Sequence, residues 1–154
     1  MTHADTRNSD AGMYVCTSKR TGDLNVAHLD LDIWNHTAPH IKKQCGCTAV
    51  EKESFAKLLT PASADGGGLR DSFRHFHPDA AGWYTYWSGR SADARPANKG
   101  LRLDYFACSE SMFAVDDAAE TPTVRVHDSY MLPEKDFRGQ SDHSPIGLAL
   151  ALAA

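Results

Sequence analysis

Residues 101–108 read Leu101-Arg102-Leu103-Asp104-Tyr105-Phe106-Ala107-Cys108. Side chains alternate between faces along a strand, so Leu101, Leu103, Tyr105 and Ala107 share one face while Arg102 and Asp104 turn to the other. Such a strand needs neighbours, and the flanking sequence supplies candidates. Trp83-Tyr84-Thr85-Tyr86-Trp87 is β-prone in every residue, its rings suited to filling one core face or to stacking on bases. Val124-Arg125-Val126 predicts another strand. Ile146, Leu148, Leu150 and Leu152 alternate with Gly and Ala in a final one. Far upstream, Met13 to Cys16 is an apolar island, a short strand at most.

Helices are few. Thr48-Ala49-Val50-Glu51 has the capping-box form, in which Thr48 and Glu51 satisfy each other's amides at a helix start. Phe55, Leu58 and Leu59 follow at helical spacing until Pro61, which predicts a helix over Thr48 to Thr60. Asp71 to His77 predicts a short helix that ends before Pro78. The connectors are polar: a turn over Gly22 to His28, loops over Asp30 to Gly46 and Ser88 to Lys99, and a link at Gly66-Gly67-Gly68. The fold class is α/β (α+β), several strands with few helices. Residues 1–21 read as a disordered N-terminal segment, with Thr17 to Thr21 a polar insert, and residues 22–154 as the folded part.

The chain has 154 residues and a net charge of −4, from 16 Lys+Arg against 20 Asp+Glu. One domain fits that length. The charge excludes a generic polyanion binder, though a local basic face can still grip nucleic acid. There is no apolar stretch long enough to span a membrane, and Met1 to Asp10 lacks the apolar core of a secretory signal. Cys16, Cys45, Cys47 and Cys108 are too sparse for a disulfide scaffold, which suggests reduced thiols in a cytosolic or nuclear protein that is not secreted. His36, His40, Cys45 and Cys47 do not form a standard zinc spacing.

Three segments place acidic, amide or imidazole groups beside expected strand ends: Gly22-Asp23-Leu24-Asn25, Arg102-Leu103-Asp104-Tyr105, and Ser141-Asp142-His143-Ser144-Pro145. Loops at strand ends hold functional groups at fixed separations. Carboxylates at such ends suit Mg²⁺, which prefers hard oxygen ligands and keeps several waters. A histidine next to an aspartate adds a group that titrates near neutral pH, and asparagine a neutral donor for a phosphate oxygen or a water. Together the set suits metal-assisted hydrolysis of a phosphoester.

In this order, with Val26-Ala27-His28 after the first segment and Ile146-Gly147-Leu148 after the last, the motifs resemble the C-terminal half of exonuclease III-type apurinic/apyrimidinic (AP) endonucleases. These belong to the endonuclease/exonuclease/phosphatase superfamily. Asp71 to His75 and Tyr84 to Trp87 also resemble family segments. The resemblance runs from about Gly22 to Leu152 and covers about half of the family's domain. It implies the C-terminal half of a four-layered α/β sandwich.

By the resemblance, Asp23 orients or deprotonates the attacking water, and Asn25 positions that water and the scissile phosphate. Asp142 corresponds to a metal-site carboxylate. His143 corresponds to the histidine that contacts the phosphate, and Asp104 holds its imidazole in one tautomer. Asp142, His143, Asp23 and Asn25 are thus the residues at the implied Mg²⁺ (or Mn²⁺) site. Tyr86 and Leu101 match positions lining the abasic-site pocket, Leu101 standing where many members have Trp. Lys42 and Lys43 in one loop, and Arg90, Arg95 and Lys99 in another, match DNA-backbone contacts. The family's first half supplies an early Asn, a metal-binding Glu and a Tyr, and nothing before Gly22 resembles it.

The resemblance therefore implies Mg²⁺-dependent cleavage of double-stranded DNA 5′ to an abasic site in base-excision repair, with 3′–5′ exonuclease activity as a companion. Its partners would be abasic DNA and other base-excision repair proteins, in the nucleus or, in a prokaryote, the cytoplasm. Two other readings stay open: a non-catalytic chain that keeps only DNA contacts, and a superfamily phosphatase of small or lipid phosphates.

Overall fold

The computed structural model describes residues 19–60, 68–113, 123–132 and 141–153. Met13 to Cys16, Gly66 and Gly67 lie outside them. Two antiparallel sheets carry the fold. In the first, β3 (Asp104–Ser109) runs between β1 (Lys19–Asp23) and β2 (Leu69–Asp71). In the second, β4 (Thr123–Met131) pairs with β5 (Ile146–Ala153), with a bulge between Val126 and Asp128. Two helices, α1 (Ala49–Leu59) and α2 (Ser72–Phe76), complete the regular elements. Among the described residues no helix is long and apolar enough to cross a membrane.

The capping box forms as its chemistry requires. The Glu51 carboxylate accepts from the amides of Thr48 and Gly46, and the Thr48 hydroxyl accepts from the Glu51 amide. Phe55 then buries its ring 4.7 Å from that of Tyr105, which seats α1 on one face of β3. The opposite face of β3 offers Phe106 and Cys108 to Val124, Val126 and Leu148 of the second sheet and to Phe76 of α2. β3 is therefore covered on both sides, which is why Tyr105, Ala107 and Cys108 are all buried.

The sequence reading is corrected at three places. Lys19 to Thr21 is not a polar insert or part of a disordered segment; it is strand, with Lys19 opposite Cys108 and Asp23 opposite Asp104. An edge strand tolerates such charges, since one side of it faces water. Trp83 to Trp87 does not form a ladder strand. Only Tyr86 pairs, in single bridges to Leu101 and His143, because the Thr85 hydroxyl itself accepts the amides of Leu103 and Asp104. Its rings are divided, with Trp87 buried and Trp83 exposed. Finally, Arg102 is as buried as the apolar residues around it, at 0% exposure.

Arg102 is buried with partners. Its Nε and Nη2 donate to Asp32 at 2.7 and 3.1 Å, and Nη1 and Nη2 to Asp71 at 3.2 and 2.6 Å. Arg74 adds a further bond to Asp32 at 2.5 Å, and the Arg102 guanidinium lies 4.3 Å from the centre of the Tyr105 ring. Two cations face two anions, so the cluster is neutral as a whole. Burial alone would raise the Asp32 carboxyl, but hydrogen bonds and charge from Arg102 and Arg74 hold it below its ordinary 3.8.

The sign of the pH dependence follows. A carboxylate with a lowered folded-state pKa stabilises the fold fully above its unfolded value, and this is lost as pH falls through the folded one. Urea midpoints are expected to hold from neutral pH to about pH 5 and to fall below about pH 4. Asp32→Asn should make that acid limb shallower. An identical slope in the variant would remove Asp32 from the account.

Candidate functional site

The ends of β1 and β3 meet at Asp23 and Asp104, which are register partners. Directly after β1, the Asp23 carboxylate accepts the Asn25 amide at 2.9 Å, and Asn25 takes the left-handed conformation at φ 55°. Asparagine tolerates that conformation better than most residues. Gly46 closes the turn from the far side: its carbonyl accepts the Ala27 amide at 2.7 Å, at a φ of +80°. A Cβ at position 46 would stand 2.7 Å from the Asn25 carbonyl oxygen. Gly46→Ala is therefore expected to destabilise the chain by about 1–3 kcal/mol and to shift the Asn25 and Ala27 amide resonances. Unchanged spectra and urea midpoint would show that the turn does not depend on Gly46.

His143 sits above this corner. Its Nδ1 donates to Asp104 Oδ2 at 2.8 Å, so the carboxylate fixes the tautomer and the ring plane. Its Nε2 faces Asp23 Oδ2 at 3.9 Å, beyond a direct hydrogen bond, which leaves both atoms able to meet a third group. The Tyr86 ring packs 5.1 Å from the imidazole. A cleft of about 890 Å³ opens beside them, lined among others by Asn25, Tyr86, Arg90, Leu101, Asp142 and His143. The cleft thus combines an apolar wall, a fixed imidazole and open carboxylates, an arrangement that can hold an anionic ester and activate water against it.

Four expected site residues, Asp23, Asn25, Asp104 and His143, gather at one corner, and Asp142, Tyr86, Leu101 and Arg90 line the cleft next to it. Lys42 and Lys43 are exposed at the end of a 3-10 turn, Pro39–Lys43. Two of the expected DNA cations are engaged inside the chain. Lys99 pairs with Asp93 at 2.9 Å, and the Arg95 guanidinium turns away from solvent to the backbone of the Ser141–Ser144 loop. Among the described residues, no three His, Cys, Asp or Glu side chains converge to hold a metal ion. What the cleft offers a hard cation is Asp142, with Asp23 and Asn25 nearby. Mg²⁺ commonly takes only one or two carboxylates when waters and substrate phosphate complete its shell. His143, with a carboxylate at each ring nitrogen, suits a phosphate oxygen better than that cation.

Sequence reasoning missed Thr85. Its fully buried hydroxyl takes the Leu103 and Asp104 amides while its carbonyl accepts the Ser144 amide at 2.7 Å, which ties the Asp104 and His143 segments together. The available signal was a small hydroxyl residue flanked on both sides by aromatics.

No family model matches the chain. Individual proteins do. The chain is 37% identical over 130 residues to an exodeoxyribonuclease of Bacillus subtilis and 38% identical over 131 residues to a DNA-(apurinic or apyrimidinic site) endonuclease of Dictyostelium discoideum. Over most of its length it is a homologue of these nucleases. The alignments take in 84% and 85% of this chain but only 42% and 30% of the relatives, so it spans less than half of their length. Solved structures agree on the fold. An AP endonuclease from Leishmania major superposes with a TM-score of 0.65 at 27% identity, covering 88% of this chain and 35% of that one. A 3′ phosphatase from Neisseria bound to a product DNA hairpin gives 0.62 at 30% identity, covering 86% and 44%. The mixed α/β architecture is accordingly that of part of an AP endonuclease-type domain.

Proposed function

We propose that this chain acts on DNA as an AP endonuclease, hydrolysing the backbone 5′ to an abasic site in base-excision repair, with 3′–5′ exonuclease activity as a companion. The observation that carries the reading is the His143–Asp104 pair set against Asp23 and Asn25 on the wall of an open cleft. In this reading Nε2 of His143 meets a non-bridging phosphate oxygen and stabilises the charge that builds on it during attack. Asp104 holds that ring in place. Asp23 takes the proton of the attacking water, and the Asn25 side chain orients water and phosphate. Mg²⁺ or Mn²⁺ held by Asp142, with Asp23 and Asn25 close by, would supply Lewis-acid polarisation of the phosphate. Tyr86 and Leu101 give the abasic sugar an apolar wall. Lys42, Lys43 and Arg90 are the exposed cations for duplex phosphates, and other base-excision repair proteins are the expected partners.

The test is a 5′-labelled duplex with one abasic site, incubated with the chain and Mg²⁺ or with EDTA. A metal-dependent product ending immediately 5′ to the lesion supports the reading. Cleavage that EDTA does not affect, or hydrolysis of inositol phosphates in preference to the duplex, overturns it. One observation favours a second reading, a chain that binds DNA without cutting it: no three acidic or imidazole groups converge among the described residues. Duplex binding without incision at any Mg²⁺ concentration is its signature.

A further inference from the structure

We infer that Arg95, together with Trp87, is the positioning device for the His143 loop and not a contact to DNA. The inference rests on the reading of His143 given above. Residues 141, 142 and 143 present three successive backbone carbonyls to one side, and each meets a donor from the Trp87–Arg95 pair. Arg95 Nη1 donates to the Ser141 carbonyl at 2.5 Å, and Nη2 to that of His143 at 3.0 Å and to the Ser144 hydroxyl at 3.4 Å. The amide of Trp87 donates to the Asp142 carbonyl at 3.0 Å. The guanidinium lies 4.6 Å from the centre of the buried Trp87 ring, so the donor fork itself is held flat and in place.

The chemistry explains why an arginine stands here. Three carbonyls turned to one side repel one another unless a donor-rich cation joins them. A planar guanidinium reaches two of them at once, whereas an ammonium is a single point on a flexible stem. What the clamp fixes is functional. His143 must place Nδ1 on Asp104, 2.8 Å away, and Asp142 must project into the cleft. Misplacing a reacting group by about 1 Å lowers a rate about 10²-fold.

Arg95→Lys and Arg95→Ala separate a clamp from a phosphate contact. With the 154-residue chain and a duplex carrying one tetrahydrofuran abasic-site analogue, both variants are expected to lose kcat by about 10-fold to 100-fold at unchanged KM. The slope of log binding constant against log salt, measured on the same duplex without metal, should match the parent, since no phosphate contact is lost. Full kcat in Arg95→Lys, or a salt slope lower by about one in Arg95→Ala, would overturn the inference.

A second readout works without catalysis. The clamped imidazole should give a downfield Nδ1 proton resonance in the parent, lost in both variants, while circular dichroism confirms that they fold. If the parent cuts no DNA, the functional reading fails and this resonance still decides the clamp. Its persistence in both variants overturns the clamp alone.

Discussion

Replacing Arg102 with alanine is expected to destabilise the chain by about 3–5 kcal/mol, a large share of the roughly 5–15 kcal/mol that holds a domain of this size folded. The guanidinium and both Asp32 and Asp71 are essentially sealed from water. Removing the cation leaves two carboxylates in the interior with Arg74 alone to answer them, and Arg74 reaches Asp32 but has no recorded ion pair with Asp71. Removing one partner of a buried pair is far more damaging than replacing the whole pair with apolar groups, because the charge left behind keeps its full desolvation penalty. Arg102→Lys should fall between the parent and Arg102→Ala, since one ammonium cannot fork to four carboxylate oxygens. Urea unfolding measures all three. An Arg102→Ala midpoint corresponding to less than about 1 kcal/mol would mean that water enters the cluster and that it contributes little.

The largest effect on activity is expected at the Asp104–His143 pair. His143→Ala removes the group that meets the phosphate and should lower kcat by about 10³-fold, within the range for a lost electrostatic or acid–base group. Asp104→Ala leaves the imidazole present but free to rotate away from Asp23, and should lower kcat by about 10²-fold. The two act as one unit, so the double variant should be no slower than His143→Ala. Multiplicative losses would mean that Asp104 acts on the substrate directly and not through the ring.

Which parts of this were legible in the sequence has a physical explanation. α1 was legible because a capping box is local: Thr48 and Glu51 lie within one turn and need nothing else. The Asp23, Asn25, Asp104 and His143 corner was legible because each residue lies in a short motif at a strand end. The Arg102 cluster was not, since Asp32, Asp71 and Arg102 are far apart in sequence and only the fold makes them neighbours. Alternation placed Arg102 on the face away from the apolar residues, but it precedes β3 in irregular backbone where two-residue periodicity does not hold. Arg95 misled for a related reason: a cation in a polar loop looks available until the carbonyls it binds, more than forty positions later, are folded onto it.

The measurement that tests the central claim most directly is single-turnover incision of an abasic duplex by the 154-residue chain with Mg²⁺, beside its His143→Ala counterpart. The account predicts a cut immediately 5′ to the lesion by the parent and a rate about 10³-fold lower in the variant. Equal rates for the two proteins, or no incision by a folded parent that binds the duplex, would contradict it.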